Sequence, residues 1–265
     1  ISPRPFSIFV SYSEKGSTGD QSSSVMSSSS SGGGGGASIS ASDLISRISA
    51  PGKVARAAAT SGWAETSARA SSSARWRICA AAAQTGVGLC LLPVHYQFGG
   101  CDGRALGAGQ IRFGNRMERF QSLCSDAVAC LQNLPEDATS GVAPHSLRAV
   151  SAQDLTTYAN LFPSGPIHMH LAEQRAEVDE VQQYLHARPV SWALDNMDLT
   201  DRWCLIHCTQ MTPDETVRLA RSGAVAGLCP ITESSLGDGI FDGVRWCDAG
   251  GSFAIGSDSN IRISL

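Results

Sequence analysis

The stretch Pro166-Ile-His-Met-His-Leu-Ala-Glu-Gln174 alternates apolar residues with histidine and places Glu173 three residues after His170. Period-two alternation predicts a buried strand, on which His168 and His170 point to one side. Ionisable groups are costly to bury without a metal or a hydrogen-bonding partner. A strand of this kind therefore has to end at a polar site, with Glu173 just beyond it and free to turn back over the histidines. A satisfied core histidine and a metal ligand both fit one His-x-His pair; the rest of the chain favours the ligand.

Order begins near Ala74. Residues 75–85 have high helix propensity and end at Gly86. Val87 to Val94 reads as a buried strand, 98–109 as a glycine-rich loop, and Ile111 to Leu131 as an amphipathic helix. Val142-Ala143 makes a short strand, and Ser151 with Asp154 starts a helix running to about Leu161. After strand 166–172 come helices over 176–185 and 190–196, and then strand 203–208, which carries His207. Thr212-Pro-Asp-Glu215 is a helix start with cap, proline and reciprocal acid, and that helix runs to Ser222. Strand 224–229, a loop over 234–239 and a last strand over 252–255 complete the pattern and deliver Asp258.

Strands alternating with helices at this spacing predict an α/β fold with a parallel sheet and right-handed crossovers. His145, His170 with Glu173, His207 and Asp258 then gather at the carboxyl ends of successive strands, where a (β/α)8 TIM-like barrel keeps its active site. An open doubly wound sheet would also use strand ends, but no glycine-rich phosphate turn follows a strand here. The strands number too few for a whole barrel, so a partial one is expected over 75–265.

Histidine nitrogens with a carboxylate suit zinc or ferrous iron, and such an ion brings the pKa of a bound water toward neutrality. Glu173 is the candidate proton shuttle between that water and a leaving nitrogen. His207 holds the developing charge, or is a satisfied core histidine. Arg148, three residues after His145, suits a substrate carboxylate, with a surface ion pair as the plain alternative. His95 and His186 are expected in loops or at the surface, and His168 behind the site. Glu233 and Asp238 flank a glycine-rich loop, where charges are ordinarily solvated.

Composition narrows the partners. Among 265 residues the net charge is −4 and no basic stripe accompanies aromatic residues, which argues against nucleic acid and leaves a small-molecule substrate. Apolar runs such as Gly88 to Val94 are too short to span a bilayer. Nine cysteines occur without a Cys-x-x-Cys pair, as in reduced cytoplasmic proteins with core thiols.

Residues 1–74 differ from all that follows. Five serines and five glycines in a row, Ser27 to Gly36, sit among flanks without sustained apolar periodicity. Such a segment offers too little burial to offset its ordering entropy. A disordered leader, an organellar transit peptide and out-of-frame translation of GC-rich DNA all fit it.

The words His145-Ser-Leu-Arg-Ala-Val150, His168-Met-His-Leu-Ala-Glu-Gln174, Trp203-Cys-Leu-Ile-His207, Ser222-Gly-Ala-Val-Ala-Gly-Leu-Cys229, Leu236-Gly-Asp-Gly-Ile-Phe241 and Gly256-Ser-Asp-Ser259 follow one another in order. From about Ile78 to Ser264 the chain resembles the formimidoylglutamate deiminases of the amidohydrolase superfamily. The resemblance implies a divalent metal, typically Zn2+, on His170 and Asp258, with Glu173 as acid/base and His207 positioning the nucleophile or imine. It implies His145 and Arg148 as pocket residues, Arg148 gripping a glutamate carboxylate, and hydrolysis of N-formimino-L-glutamate to N-formyl-L-glutamate and ammonia. A purine or pterin deaminase of the same superfamily, and a non-catalytic binding remnant, are the alternatives. A homodimer is expected of the complete form.

The same resemblance brings two further metal ligands from a His-x-His on the first barrel strand, yet no histidine precedes His95. Its members also continue past the last strand, and they commonly carry histidine where this chain has Gln210 and Asn260. Lost ligands leave the remaining ones less well organised. The purified 265-residue chain is therefore expected to lose its zinc on dialysis and to release no ammonia from N-formimino-L-glutamate. Metal analysis after dialysis and an ammonia assay check this; one tightly held zinc per chain with turnover would contradict it.

Overall fold

The computed structural model describes residues 7–12, 24–28 and 74–258. Its elements are β1 (Ser7–Tyr12), β2 (Ser24–Ser28), α1 (Ala74–Thr85), β3 (Gly88–His95), α2 (Met117–Leu131), β4 (Thr139–Ser140) and β5 (Ala143–Pro144). There follow α3 (Ala152–Leu161), β6 (Ile167–Leu171), α4 (Arg175–Leu185), α5 (Pro189–Asn196), β7 (Trp203–His207), α6 (Pro213–Arg221), β8 (Val225–Leu228), α7 (Pro230–Leu236), α8 (Gly243–Asp248) and β9 (Ser252–Asp258). Strands β6, β7, β8 and β9 are parallel neighbours, joined by helical crossovers as the alternation requires.

The sheet runs in the order β4-β3-β1-β2-β9-β8-β7-β6, with β5 also on β3. Parallel bridges from Val142 to Ile167 and from Ser146 to His170 join the segment carrying β5 to β6 and close the ring. β1 is parallel to β3, whereas β2 is antiparallel to both β1 and β9. Both strands fall in the expected leader, the rest of which lies outside the described residues, as does Asn260.

Side-chain alternation divides the parallel strands into two faces. Ile167, Met169 and Leu171 of β6 and Trp203 and Leu205 of β7 belong to the main core beneath the helices, with Phe120, Tyr158, Leu219 and Trp246. Cys204 and Ile206 pack with Cys229 on the opposite face, and Cys90 and Leu92 with Ala143. His168 and His170 share that inner face by parity. None of the nine cysteines is in a disulfide, and six of them, Cys204 and Cys229 among them, are buried. No helix among the described residues is long and apolar enough to cross a membrane.

Three expectations are corrected. The helix read over 111–131 is a 3-10 turn at Ile111–Phe113 followed, after Gly114, by α2 from Met117. The loop read over 234–239 is in its first part the end of α7, which stops at the left-handed Gly237. His95 is not in a loop or at the surface: it ends β3, is fully buried, bonds Tyr158 Oη through Nδ1 at 2.9 Å and stacks on Phe120. Burial pushes its pKa down to about 4, against a partial upward pull from Asp154, so the ring is neutral. His186 is exposed, as expected, in a left-handed residue that ends α4.

The cap at α6 is the full reciprocal one: Thr212 Oγ1 accepts from Glu215 N, and a Glu215 oxygen accepts from Thr212 N at 2.8 Å. The same carboxylate, nearly inaccessible, also accepts from Ser191 Oγ at 2.8 Å and Arg188 Nε at 3.0 Å, which ties α5 to α6. Burial raises its pKa, but the bonds from Thr212, Ser191 and Arg188 outweigh burial and hold it below the usual value of 4.5. A depressed carboxyl pKa contributes stability that is present above the unfolded value and lost as pH falls through the folded one. The stability difference between the native chain and Glu215→Gln is therefore expected to be largest above pH 4.5 and to shrink below it, as read from urea midpoints across pH.

Candidate active site

The site forms where β6, β7 and β9 stop. Ala172, His207, Cys208 and Asp258 all adopt positive φ, at 53°, 75°, 54° and 48°. Left-handed backbone is unfavourable for residues with a Cβ and persists where surrounding structure enforces it. At His207 it has a direct consequence. By alternation this side chain belongs on the outer face with Trp203 and Leu205, yet its ring lies 5.5 Å from that of His170, an inner-face residue. The turn of the backbone carries it across.

His170 Nδ1 lies 2.9 Å from the His145 carbonyl oxygen, which only accepts, so Nδ1 carries the proton. Burial and the neighbouring His207 lower the His170 pKa, against pulls from Asp258, the His145 bond and Glu177. A neutral ring with its Nε2 lone pair free is the form that binds a metal. Ligand atoms of His170, His207 and Asp258 lie within 4.8 Å of one another, so the residues present fit a divalent ion. His168, buried behind them, has its pKa pushed down to about 4 by burial and by His170.

Glu173 is turned over this group by a buried brace. Glu177, on the first turn of α4, accepts from Ala172 N and Glu173 N at 3.0 Å each. Glu173 Oε1 then stands 3.7 Å from His207 Nε2. Burial raises the Glu173 pKa to about 7; His207 opposes the rise, and Asp238, Asp258 and Glu177 add to it. Such a carboxyl exchanges its proton near neutral pH. The His207 pKa is lowered by burial but raised more by Glu233, Glu173 and Asp258, for a net rise.

His145 and Arg148 follow β5 on the same side of the barrel. The His145 ring lies 4.7 Å from His170 and 4.5 Å from Tyr96, and its Nδ1 meets Ser146 Oγ at 3.0 Å. Burial, His170 and Arg148 together hold its pKa well below the usual value. Arg148 reaches Glu177 at 3.9 Å, so it is paired with the brace rather than with a surface acid. Its Nε is buried and meets no hydrogen-bond acceptor among the described residues.

Glu233 and Asp238 are corrections: both are buried, not solvated. Glu233 Oε1 lies 3.3 Å from His207 Nδ1 and accepts from Cys229 N at 2.7 Å. The only signal in the sequence was a carboxylate four residues after a strand end, a spacing shared by many exposed acids.

No family model matches the chain. A formimidoylglutamate deiminase of Pseudomonas aeruginosa is 43% identical over 190 residues, 71% of this chain and 42% of the relative. A crystal structure of an amidohydrolase from Brucella melitensis matches with a TM-score of 0.69 at 49% identity, over 72% of this chain and 42% of that one. The chain belongs to the amidohydrolases. Within them, a 5-methylthioadenosine/S-adenosylhomocysteine deaminase of Nitratidesulfovibrio vulgaris is 31% identical over 123 residues, 46% of this amidohydrolase chain and 28% of the relative. An adenosine deaminase from Xanthomonas campestris, crystallised with bound zinc, shares the fold at a TM-score of 0.56 and 19% identity. The amidohydrolase barrel expected from the strand pattern is thus the fold observed. The chain spans less than half the length of these relatives.

The Glu177 brace sets the position of Glu173. Glu177→Ala leaves the Ala172 and Glu173 amides without their acceptor and Arg148 without its carboxylate. A loss of about 2–4 kcal/mol is expected, since each unsatisfied buried donor costs roughly 1–3 kcal/mol. A shift of the urea midpoint at unchanged slope checks it, with Glu177→Gln losing less.

Proposed function

We propose that these residues are the acid/base and substrate-holding half of a formimidoylglutamate deiminase, which hydrolyses N-formimino-L-glutamate to N-formyl-L-glutamate and ammonia. The observation that carries the reading is Glu173 beside His207, whose ring groups with His170 and Asp258. The 43% identity to the Pseudomonas aeruginosa deiminase supports it.

His170 and Asp258 would hold a divalent metal, zinc by analogy with the zinc-bound adenosine deaminase. Such an ion supplies Lewis acidity toward water and toward the amidine nitrogen. Glu173, poised near neutrality, takes a proton from the attacking water and returns it to the departing nitrogen. Water thus adds to the formimidoyl carbon, the carbon–nitrogen bond breaks, and ammonia leaves while the formyl oxygen remains. His207 faces the same space through Nε2, where it positions the attacking water or the imine N–H. Arg148, with its free Nε–H, and His145 receive a carboxylate of the substrate.

The nucleoside deaminase relatives favour a second reading, in which the substrate is a cyclic amidine. The assay that separates the two uses a chimera in which residues 1–73 are replaced by the N-terminal barrel segment of the Pseudomonas aeruginosa relative, with zinc supplied. Ammonia release from N-formimino-L-glutamate is expected. Glu173→Gln should lower kcat by about 10²–10⁴-fold, the usual weight of a general acid/base. Arg148→Leu should raise KM by roughly 10–100-fold, as loss of a charged hydrogen bond does. Faster release from 5-methylthioadenosine, indifferent to Arg148→Leu, would replace the first reading by the second. Ammonia from neither substrate would favour a binding remnant.

A further inference from the structure

Glu233 has no role in the chemistry so far, yet it is 6% exposed and stands against the back of His207. Its Oε1 lies 3.3 Å from His207 Nδ1, on the ring edge opposite the one that faces Glu173 at 3.7 Å from Nε2. The carboxylate is itself fixed. It belongs to the first turn of α7, its backbone N–H donates to the Cys229 carbonyl, and its Oε1 takes the Cys229 N–H at 2.7 Å. No arginine or lysine among the described residues pairs with it, so the His207 ring is the side chain that answers its charge. A carboxylate in that position accepts hydrogen bonds and offers none.

A neutral imidazole has one N–H and one lone pair, and the partner of one nitrogen dictates the state of the other. We infer that Glu233 is a positioning residue that holds the proton of His207 on Nδ1, so that Nε2 presents its lone pair to the space shared by Glu173, His170 and Asp258. With the proton on the other nitrogen, Nδ1 would set its lone pair against the Glu233 carboxylate, and Nε2 would point a hydrogen into the site. The left-handed backbone at His207 places the ring, and Glu233 selects which of its faces acts. Cys229 contributes its backbone N–H to this arrangement, while its thiol belongs to the apolar cluster with Cys204 and Ile206. The inference deepens the hydrolytic reading above and rests on it for the use made of Nε2. The proton placement itself stands on the Glu233 and His207 side chains alone.

The experiment is a long-range nitrogen–proton correlation spectrum of the 265-residue chain labelled with ¹⁵N in histidine, without metal or substrate, with the His207 ring assigned from its loss in His207→Asn. In the native chain, recorded at a pH above the His207 titration so that the ring is neutral, the His207 pattern is expected to be that of protonated Nδ1 with unprotonated Nε2. In Glu233→Leu it is expected to move to protonated Nε2, the form that a free neutral imidazole favours, while Glu233→Gln, which keeps an acceptor oxygen, retains the native pattern. Protonated Nε2 in the native chain would overturn the inference, and that reading requires no variant to fold. So would an unchanged Nδ1–H pattern in a folded Glu233→Leu. Because the spectrum needs no turnover, failure of ammonia release in the chimera leaves this result legible and counts only against the hydrolytic reading.

Discussion

A parallel strand buried on both faces has one place to put charge, its carboxyl end, and the whole site follows from that constraint. Strands β6, β7 and β9 give their outer faces to helices or solvent and their inner faces to the barrel. Nothing along the buried length of β6 and β7 can carry an unpaired ion without a large desolvation cost. His170, His207 and Asp258 therefore meet at one end of the sheet, and the acids that serve them come from the loops and first helical turns just beyond.

Those acids act at two levels. Glu173 and Asp258 lie beside the histidines His207 and His170, whereas Glu177 and Glu233 spend their oxygens on backbone amides and on the back of a histidine. Each supporting carboxylate fixes a facing one or a ring that would otherwise be free to rotate. The arrangement is economical in residues because each helix that follows a strand starts within reach of that strand's end. Glu177 on α4 serves the end of β6, and Glu233 on α7 reaches from the end of β8 to the end of β7.

The same geometry explains the electrostatics. Burial drives the Glu173 pKa up to about 7, and the neighbouring acids Asp238 and Asp258 add to the effect while His207 resists it. The histidines of the site divide: the pKa values of His145, His168 and His170 are lowered, chiefly by burial, whereas that of His207, between two carboxylates, is raised. Groups of one type thus acquire different duties from their surroundings alone.

The sequence by itself determined the periodicities and caps. The His-x-His strand, the Thr212–Glu215 helix start, the Ser151 cap and the collection of His145, His170, Glu173, His207 and Asp258 at strand ends are local patterns, set by side-chain spacing and backbone hydrogen-bond needs. Tertiary structure decided what depends on a distant partner or a rare backbone state. His95 looked like a loop residue until Tyr158, sixty-three positions away, supplied its hydrogen bond. Glu233 looked solvated until His207 closed over it. His207 itself lies on the outer parity of its strand, and only the left-handed turn at that residue brings it into the site. Alternation reports the face on which a regular strand places a side chain; it carries no information about where packing forces the backbone out of the regular conformation.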